Sequence, residues 1–298
     1  MSQRILITGA TGFTGQSTIK RLLAKGASVR ALVHKEDHRS QHLRSLGVEV
    51  AIGDLLNLED PRRALEGMDA AYFLYPIAPG IIEATAYFAQ AAKEAGTQAI
   101  VNMSQISARR EAKSNSARDH WIAERVFDWA GLAVTHLRPT YFAQWLLYPH
   151  FLKTIRDEGV ISLPFGAGRH APIAAEDQAR FIAEVLLDPS PHQGITYPLY
   201  GPKEMSQHEI AAAVGEVLGK AVRYEPISIE QYKDRLTRTG MPPFLIQHLG
   251  EVAIDYQNGV FAGQDTVIKA VTGHAPMTVQ EFVSMHRHAF ESFQATRH

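Results

Sequence analysis

Seven residues near the N-terminus, Gly9-Ala-Thr-Gly12-Phe-Thr-Gly15, have the types and spacing to hold a diphosphate. Glycines let the chain turn tightly and bring its amides close to a pyrophosphate, and a helix starting there adds free N–H donors and a favourable dipole. The context fits, because an apolar run, Arg4–Thr8, precedes the loop and Gln16–Lys25 follows it with Ile19, Leu22 and Leu23 on one helical face. Gly9, Thr11, Gly12, Phe13, Thr14 and Gly15 are therefore expected to line a dinucleotide diphosphate. A second group could act on a bound acceptor. His120 and Glu124 lie four apart and should share a helix face, while Ser104 and Gln105 follow a strand. An imidazole with an ordinary pKa near ~6.5 can give up a proton at neutral pH, which makes His120 the candidate donor, with Ser104 as another. A third group is aromatic: Tyr141, Phe142, Trp145 and Tyr148. Trp145 and Tyr148, three apart, could share a helix face and stack on a flat acceptor, with Phe165 and His170 as a lid.

The end of the second strand decides which dinucleotide is held. An acid there would take the ribose 2′-hydroxyl of NAD. The sequence places His34-Lys35 there instead, followed by Glu36, Asp37, His38 and Arg39. His34, Lys35 and Arg39 can hold a 2′-phosphate, so NADP(H) is preferred and NAD(H) remains possible. Asp54 and Leu55, after the third strand, should border the adenine. Tyr75-Pro76, after the fourth, and Met103, Ser104, Pro139, Tyr141 and Phe142 should border the nicotinamide end.

These residues need a frame to position them. Strands are read at Val29–Val33, Val48–Ile52, Ala70–Tyr75, Ala99–Met103 and Ala133–Leu137. Helices are read at Ile81–Ala95 and near Ala117–Ala130, and Asp60-Pro61 looks like a cap followed by proline at the first helical position. Such alternation predicts an α/β, Rossmann-type doubly wound parallel sheet over 1–150, with later segments returning to it. A smaller mixed substrate-facing lobe is expected over 151–298. Within it Ser206-Gln-His-Glu209 and Thr278-Val-Gln-Glu281 each fit a capping box, predicting helices from about 207 and 279.

Composition narrows the classes. The 298 residues carry 30 Lys+Arg against 31 Asp+Glu, without the basic excess of a nucleic-acid binder. Cysteine is absent, which removes disulfides, thiolate metal sites and a thiol nucleophile. The 14 histidines do not cluster at ligand spacing, so no metal is expected. The N-terminus shows no signal-like apolar stretch and no segment is long and apolar enough to span a membrane, so a cytoplasmic location is expected. A small aromatic substrate and a possible homodimer complete the expectations.

The phosphate loop, Gly53-Asp54, Leu137-Arg138-Pro139 with Tyr141-Phe142, Ala175-Glu-Asp177-Gln-Ala179 and Tyr197-Pro-Leu-Tyr-Gly201-Pro202 together resemble the NmrA-like group of atypical short-chain dehydrogenase/reductases over nearly the whole chain. That resemblance implies NAD(P) binding on a Rossmann fold with a small C-terminal lobe. The group holds quinone, azo-dye and triphenylmethane-dye reductases and also regulators that bind the dinucleotide. The Tyr-x-x-x-Lys pair of many short-chain reductases is missing, and His120-Trp-Ile-Ala-Glu124 stands in its place. The leading expectation is hydride transfer from NADPH to a quinone or azo acceptor, with Gln105, His120, Glu124, Tyr141, Trp145, Tyr148 and Phe165 around it. The alternatives are an NADP(H) sensor without turnover, or an imine or ketone reductase with another proton donor.

Overall fold

Ile5, Leu6 and Ile7 of β1 (Arg4–Ile7) have no solvent-exposed surface, because this strand lies in the interior of a sheet covered on both faces. The computed structural model describes residues 2–291. β1 pairs with β2 (Ser28–Val33) on one side and β4 (Ala70–Phe73) on the other, Ile5 lying opposite Val29 and Ala70. With β3 (Glu49–Ile52), β5 (Ala99–Met103), β6 (Val134–Pro139) and Thr196–Leu199, the order across the sheet is β3-β2-β1-β4-β5-β6 and then the Thr196–Leu199 strand. All pairings among the first six are parallel. The order reverses between β1 and β4, and a doubly wound sheet opens a crevice at such a reversal.

Alternating side chains send Leu6, Ala71, Phe73 and Ile100 to one face, where α3 (Glu59–Leu65), α4 (Ile81–Ala95) and α5 (Asn115–Trp129) cover them. Phe73 meets Phe88 of α4 at 4.8 Å and Phe127 of α5 at 5.3 Å between ring centroids, the latter edge-on. α1 (Phe13–Ala24) packs with Ala175–Leu187. The short α2 (His38–Ser45) lies between β2 and β3 and was not anticipated from the sequence. Asp60 does not cap α3. That helix begins at Glu59 behind Leu58, and the Asp60 carboxylate instead accepts the Asp54 N–H at 2.9 Å.

The chain forms two compact units. The first joins everything up to Pro139 with Ala175–Pro198, and the second joins Thr140–Ala174 with the chain from Leu199 onward. The boundary thus precedes residue 150, because the chain leaves the sheet directly after β6. In chain order the second unit holds α6 (Pro149–Glu158), β7 (Val160–Ile161) and β8 (Arg169–His170). The chain then returns to the first unit as α7 (Ala175–Leu187) and β9 (Thr196–Leu199). The second unit resumes with β10 (Met205–Ser206), α8 (Gln207–Leu218), β11 (Arg223–Tyr224), α9 (Ile229–Arg238), α10 (Pro243–Gln257), α11 (Val267–Thr272), α12 (Val279–Met285) and α13 (Arg287–Glu291). Both expected capping boxes form: Ser206 accepts from Glu209 N–H, and Thr278 from Glu281 N–H. No helix among the described residues is long and apolar enough to cross a membrane.

Candidate active site

At the reversal between β1 and β4 lies a cleft of about 550 Å³. The β1–α1 loop supplies Thr8 to Gly12, and the end of β2 supplies Val33 and His34. Gly53 to Leu56 follow β3 and Leu74 to Pro76 follow β4. Thr8 pins the ends of β1 and β4 together, since its hydroxyl donates to Leu74 O at 3.0 Å and accepts Leu74 N–H at 2.7 Å. Gly9 turns with φ +59°, where a Cβ would sit 2.8 Å from the Leu74 side chain. A Cβ on Gly15 would sit 2.3 Å from the Gly9 carbonyl oxygen, so Gly15 is there for helix–strand packing and does not line the cleft. Gly12 begins α1 with no side-chain cap on the helix N–H groups. A loop with no room for a Cβ at Gly9 and Gly15 and an uncapped helix N-terminus beside a cleft fits a pyrophosphate. Of the other loop residues, Phe13 is 58% exposed and Thr14 is buried with its carbonyl engaged by the Thr18 hydroxyl, so neither lines the cleft.

His34, Asp54, Leu55, Tyr75 and Pro76 line the cleft. His34 Nδ1 stands 3.8 Å from Asp54 Oδ2, and Asp54 Oδ1 accepts the Leu56 N–H. The Tyr75 hydroxyl donates to Pro79 O at 3.0 Å, and burial together with the Asp54 and Glu83 carboxylates raises its pKa. Lys35 and Arg39 are exposed and do not line the cleft. Arg39 donates from Nε and Nη2 to Asp37 Oδ2, at 3.0 and 2.6 Å.

The C-terminal ends of β5 and β6 carry the second group. Met103 and Pro139 are buried strand ends, and the Ser104 hydroxyl is buried without a hydrogen-bond partner. His120 Nδ1 faces the Ser116 carbonyl at 2.9 Å and the Gln105 amide at 3.1 Å. A backbone carbonyl can only accept, so the Ser116 contact places the imidazole proton on Nδ1. The other end of that amide lies 2.8 Å from Ser107 Oγ. Nε2 of His120 has no partner among the described residues and is left as an acceptor. Burial lowers the pKa of this imidazole, outweighing the Ser116 carbonyl and the Glu124 charge. The proton donor expected at neutral pH is therefore a neutral ring whose one proton is already engaged.

Glu124 is also not available to a substrate. It is fully buried, with its oxygens bound by Arg138 Nε and Nη2 at 2.8 and 2.5 Å. Helical spacing put it on the face of His120, but the cation it serves comes from β6. Nearby, Asn102 and Asp128 hold His136 from either side, at 2.9 and 3.2 Å.

The aromatic residues belong to the second unit. Tyr141 packs edge-on to Phe165 at 5.3 Å and to His170 at 5.9 Å. Phe165 stacks on Tyr256 at 4.1 Å, and His170 Nδ1 lies 2.5 Å from the Tyr256 hydroxyl. Phe165 and His170 are 1% and 0% exposed, so they are core and not a lid. Ala143–Leu147 is a 3₁₀ turn, with Trp145 buried and Tyr148 49% exposed at the start of α6, so the pair shares no face. Phe142 is half-buried and bridges to Ile173.

A profile of the NmrA-like family matches residues 1–283. The chain belongs to the NmrA-like family. The NAD(P)H azoreductase of Xenophilus azovorans is 33% identical, over 96% of this chain and 99% of that protein. The structure of the NADPH-dependent quinone oxidoreductase QOR2 of Escherichia coli, complexed with NADPH, aligns with a TM-score of 0.83 at 25% identity, covering 95% of this chain and 99% of that one. NmrA itself, a negative transcriptional regulator, aligns with a TM-score of 0.76 at 20% identity, covering 98% and 96% of the two chains, and shares the fold. Sequence reasoning missed several parts of this NmrA-like site: Thr8, Ala10, Leu32, Val33, Gly53, Leu56 and Leu74 all line the cleft. Leu32, Val33 and Leu74 are apolar strand or strand-end residues, whose exposure depends on where the sheet reverses.

Proposed function

We propose that this chain is an NAD(P)H-dependent reductase that passes a hydride to an electrophilic aromatic acceptor of the quinone or azo type. The observation that carries the reading is the glycine cradle at the β1/β4 reversal, with its uncapped helix N-terminus and about 550 Å³ of space. The whole-length likeness to an azoreductase supports the chemistry. The cradle amides bind the diphosphate, and Asp54 with His34 borders the adenosine. Bound NADPH or NADH supplies a hydride. The Ser104 hydroxyl, without a protein partner, offers a donor at the end of β5. Gln105 and the His120 ring border the acceptor, and His120 Nε2, which carries no proton, accepts the O–H or N–H that the acceptor gains on reduction. An acceptor that is already electrophilic needs positioning more than acid catalysis, and effective positioning alone is worth several kcal/mol, up to ~7–11. The proton that completes the two-electron reduction comes from solvent, since His120 is neutral.

A neutral His120 whose one proton is engaged also favours a second reading, a dinucleotide-binding regulator without turnover. Loss of NADPH and NADH absorbance against quinones, azo dyes and simple ketones separates the two. Turnover with a quinone or azo dye supports the reductase. Tight cofactor binding without turnover on any acceptor supports the regulator.

A further inference from the structure

We propose that Asp37 sets how strongly this chain discriminates NADPH from NADH, by holding the Arg39 guanidinium as a standing rival to the 2′-phosphate. The inference rests on the dinucleotide reading above and concerns the same cleft. β2 ends at Val33, and His34 already lines the cleft, so the turn over 34–37 leads from the adenosine side into α2. In this architecture the segment after the second strand meets the ribose 2′ position, with an acid for a hydroxyl or an arginine for a phosphate. Here the acid and the arginine are both present and bound to each other. Between residues 35 and 44, three cations (Lys35, Arg39 and Arg44) face two carboxylates (Glu36 and Asp37).

Each carboxylate has a different assignment. Glu36 is paired with Arg44 at 3.0 Å. Asp37 does two jobs with separate oxygens. Oδ1 accepts the N–H groups of Arg39 and Ser40, capping α2, while Oδ2 takes both guanidinium contacts from Arg39. The two groups hold each other charged: Arg39 lowers the Asp37 carboxyl to about 2, and Asp37 raises the guanidinium. Lys35 has no ion-pair partner among the described residues. Lys35, exposed and next to the cleft-lining His34, can turn to a 2′-phosphate without breaking an ion pair. The phosphate gains Arg39 only against a carboxylate already in place, and it meets that carboxylate's charge. A 2′-hydroxyl meets no such repulsion. Both cofactors are therefore accepted, with a muted preference for the phosphorylated one, and Asp37 mutes it.

The capping and ion-pairing roles are separable, because serine and asparagine cap helices as well as aspartate does. Asp37→Ser and Asp37→Asn keep α2 capped and release Arg39. Binding is read by calorimetric titration with adenosine 2′,5′-bisphosphate and with 5′-AMP, probes that differ at the 2′ position and undergo no turnover. Removing one charge at this exposed distance should tighten the bisphosphate about five- to tenfold and leave 5′-AMP within about twofold. Adding Arg39→Ala to Asp37→Ser should return the bisphosphate to wild-type affinity or weaker. If both probes change equally, or neither changes, in both capped variants, Asp37 does not govern the choice. If the wild type binds neither probe and neither NADPH nor NADH, the cofactor reading fails and this inference falls with it.

Discussion

Gly15 and Glu124 are both buried in the first unit, but they fail in opposite ways when changed. Gly15→Ala forces a methyl to within 2.3 Å of the Gly9 oxygen, and backbone cannot rotate aside as a side chain can. The change should cost ~1–3 kcal/mol of stability and weaken NADPH binding in the same protein, read by urea unfolding and titration. Glu124→Gln leaves the shape nearly intact but strips Arg138 of its counter-ion. Arg138 keeps 25% of its side chain in solvent, so the loss should be at or below the ~3–5 kcal/mol of fully buried pairs, with little effect on the Michaelis constant for the acceptor. A large rise in that constant with unchanged stability would place Glu124 in contact with substrate instead. His120→Phe removes the free Nε2 acceptor and should lower kcat/KM for the acceptor with cofactor affinity preserved. Unchanged kcat/KM over the full pH range would remove His120 from the site. Spacing along a helix shows which residues share a face, but it does not show that Arg138 reaches Glu124 from β6. The contact that engages the His120 proton is local, made by the Ser116 carbonyl one turn earlier in α5.

At the scale of elements, strands read most clearly where both faces are covered. β1, β2, β4, β5 and β6 announce themselves as short apolar runs because helices lie on either side of them. The missed elements lack that signal. α2 buries only Ser40 and Leu43 of its eight residues, and its sequence signature was the cap at Asp37 rather than an apolar stripe. β9 contains Pro198 and lies at the sheet edge, where proline is tolerated and alternation is weak. The capping boxes at 206 and 278 were legible because a hydroxyl and a glutamate three residues on satisfy each other locally. A side-chain cap is typically worth ~1 kcal/mol. Ser206→Ala should therefore lower the stability measured by urea unfolding by that amount, while Ser206→Asp should leave it unchanged.

For the whole molecule, buried histidines shape the response to acid, His120, His136 and His170 among them. Burial lowers the pKa of His120 and His136 and pushes His170 down to about 3. In the unfolded chain each returns to near ~6.5, so between the folded and unfolded values the unfolded chain binds more protons. Their contribution to stability is complete above about pH 6.5 and is lost progressively as pH falls towards each folded value. The urea midpoint should begin to fall just below pH 6.5, above the range where carboxylates titrate. His170→Gln should flatten the lower part of that slope. A midpoint constant from pH 7 down to 4.5 would show that the rings are charged, or reach water, in the folded state.

The return of α7 and β9 to the first unit also has a consequence for synthesis on the ribosome. α1 packs against α7, and β6 is bordered by β9, so both partners arrive only with residues 175–198. Until that stretch emerges, a nascent chain carries a bare apolar helix face and an open sheet edge. An edge of that kind recruits other strands. A fragment truncated at 150 should sediment as aggregate when expressed. A chain with 140–174 replaced by a short glycine–serine bridge and stopped after 198 should stay in the supernatant and bind NADPH.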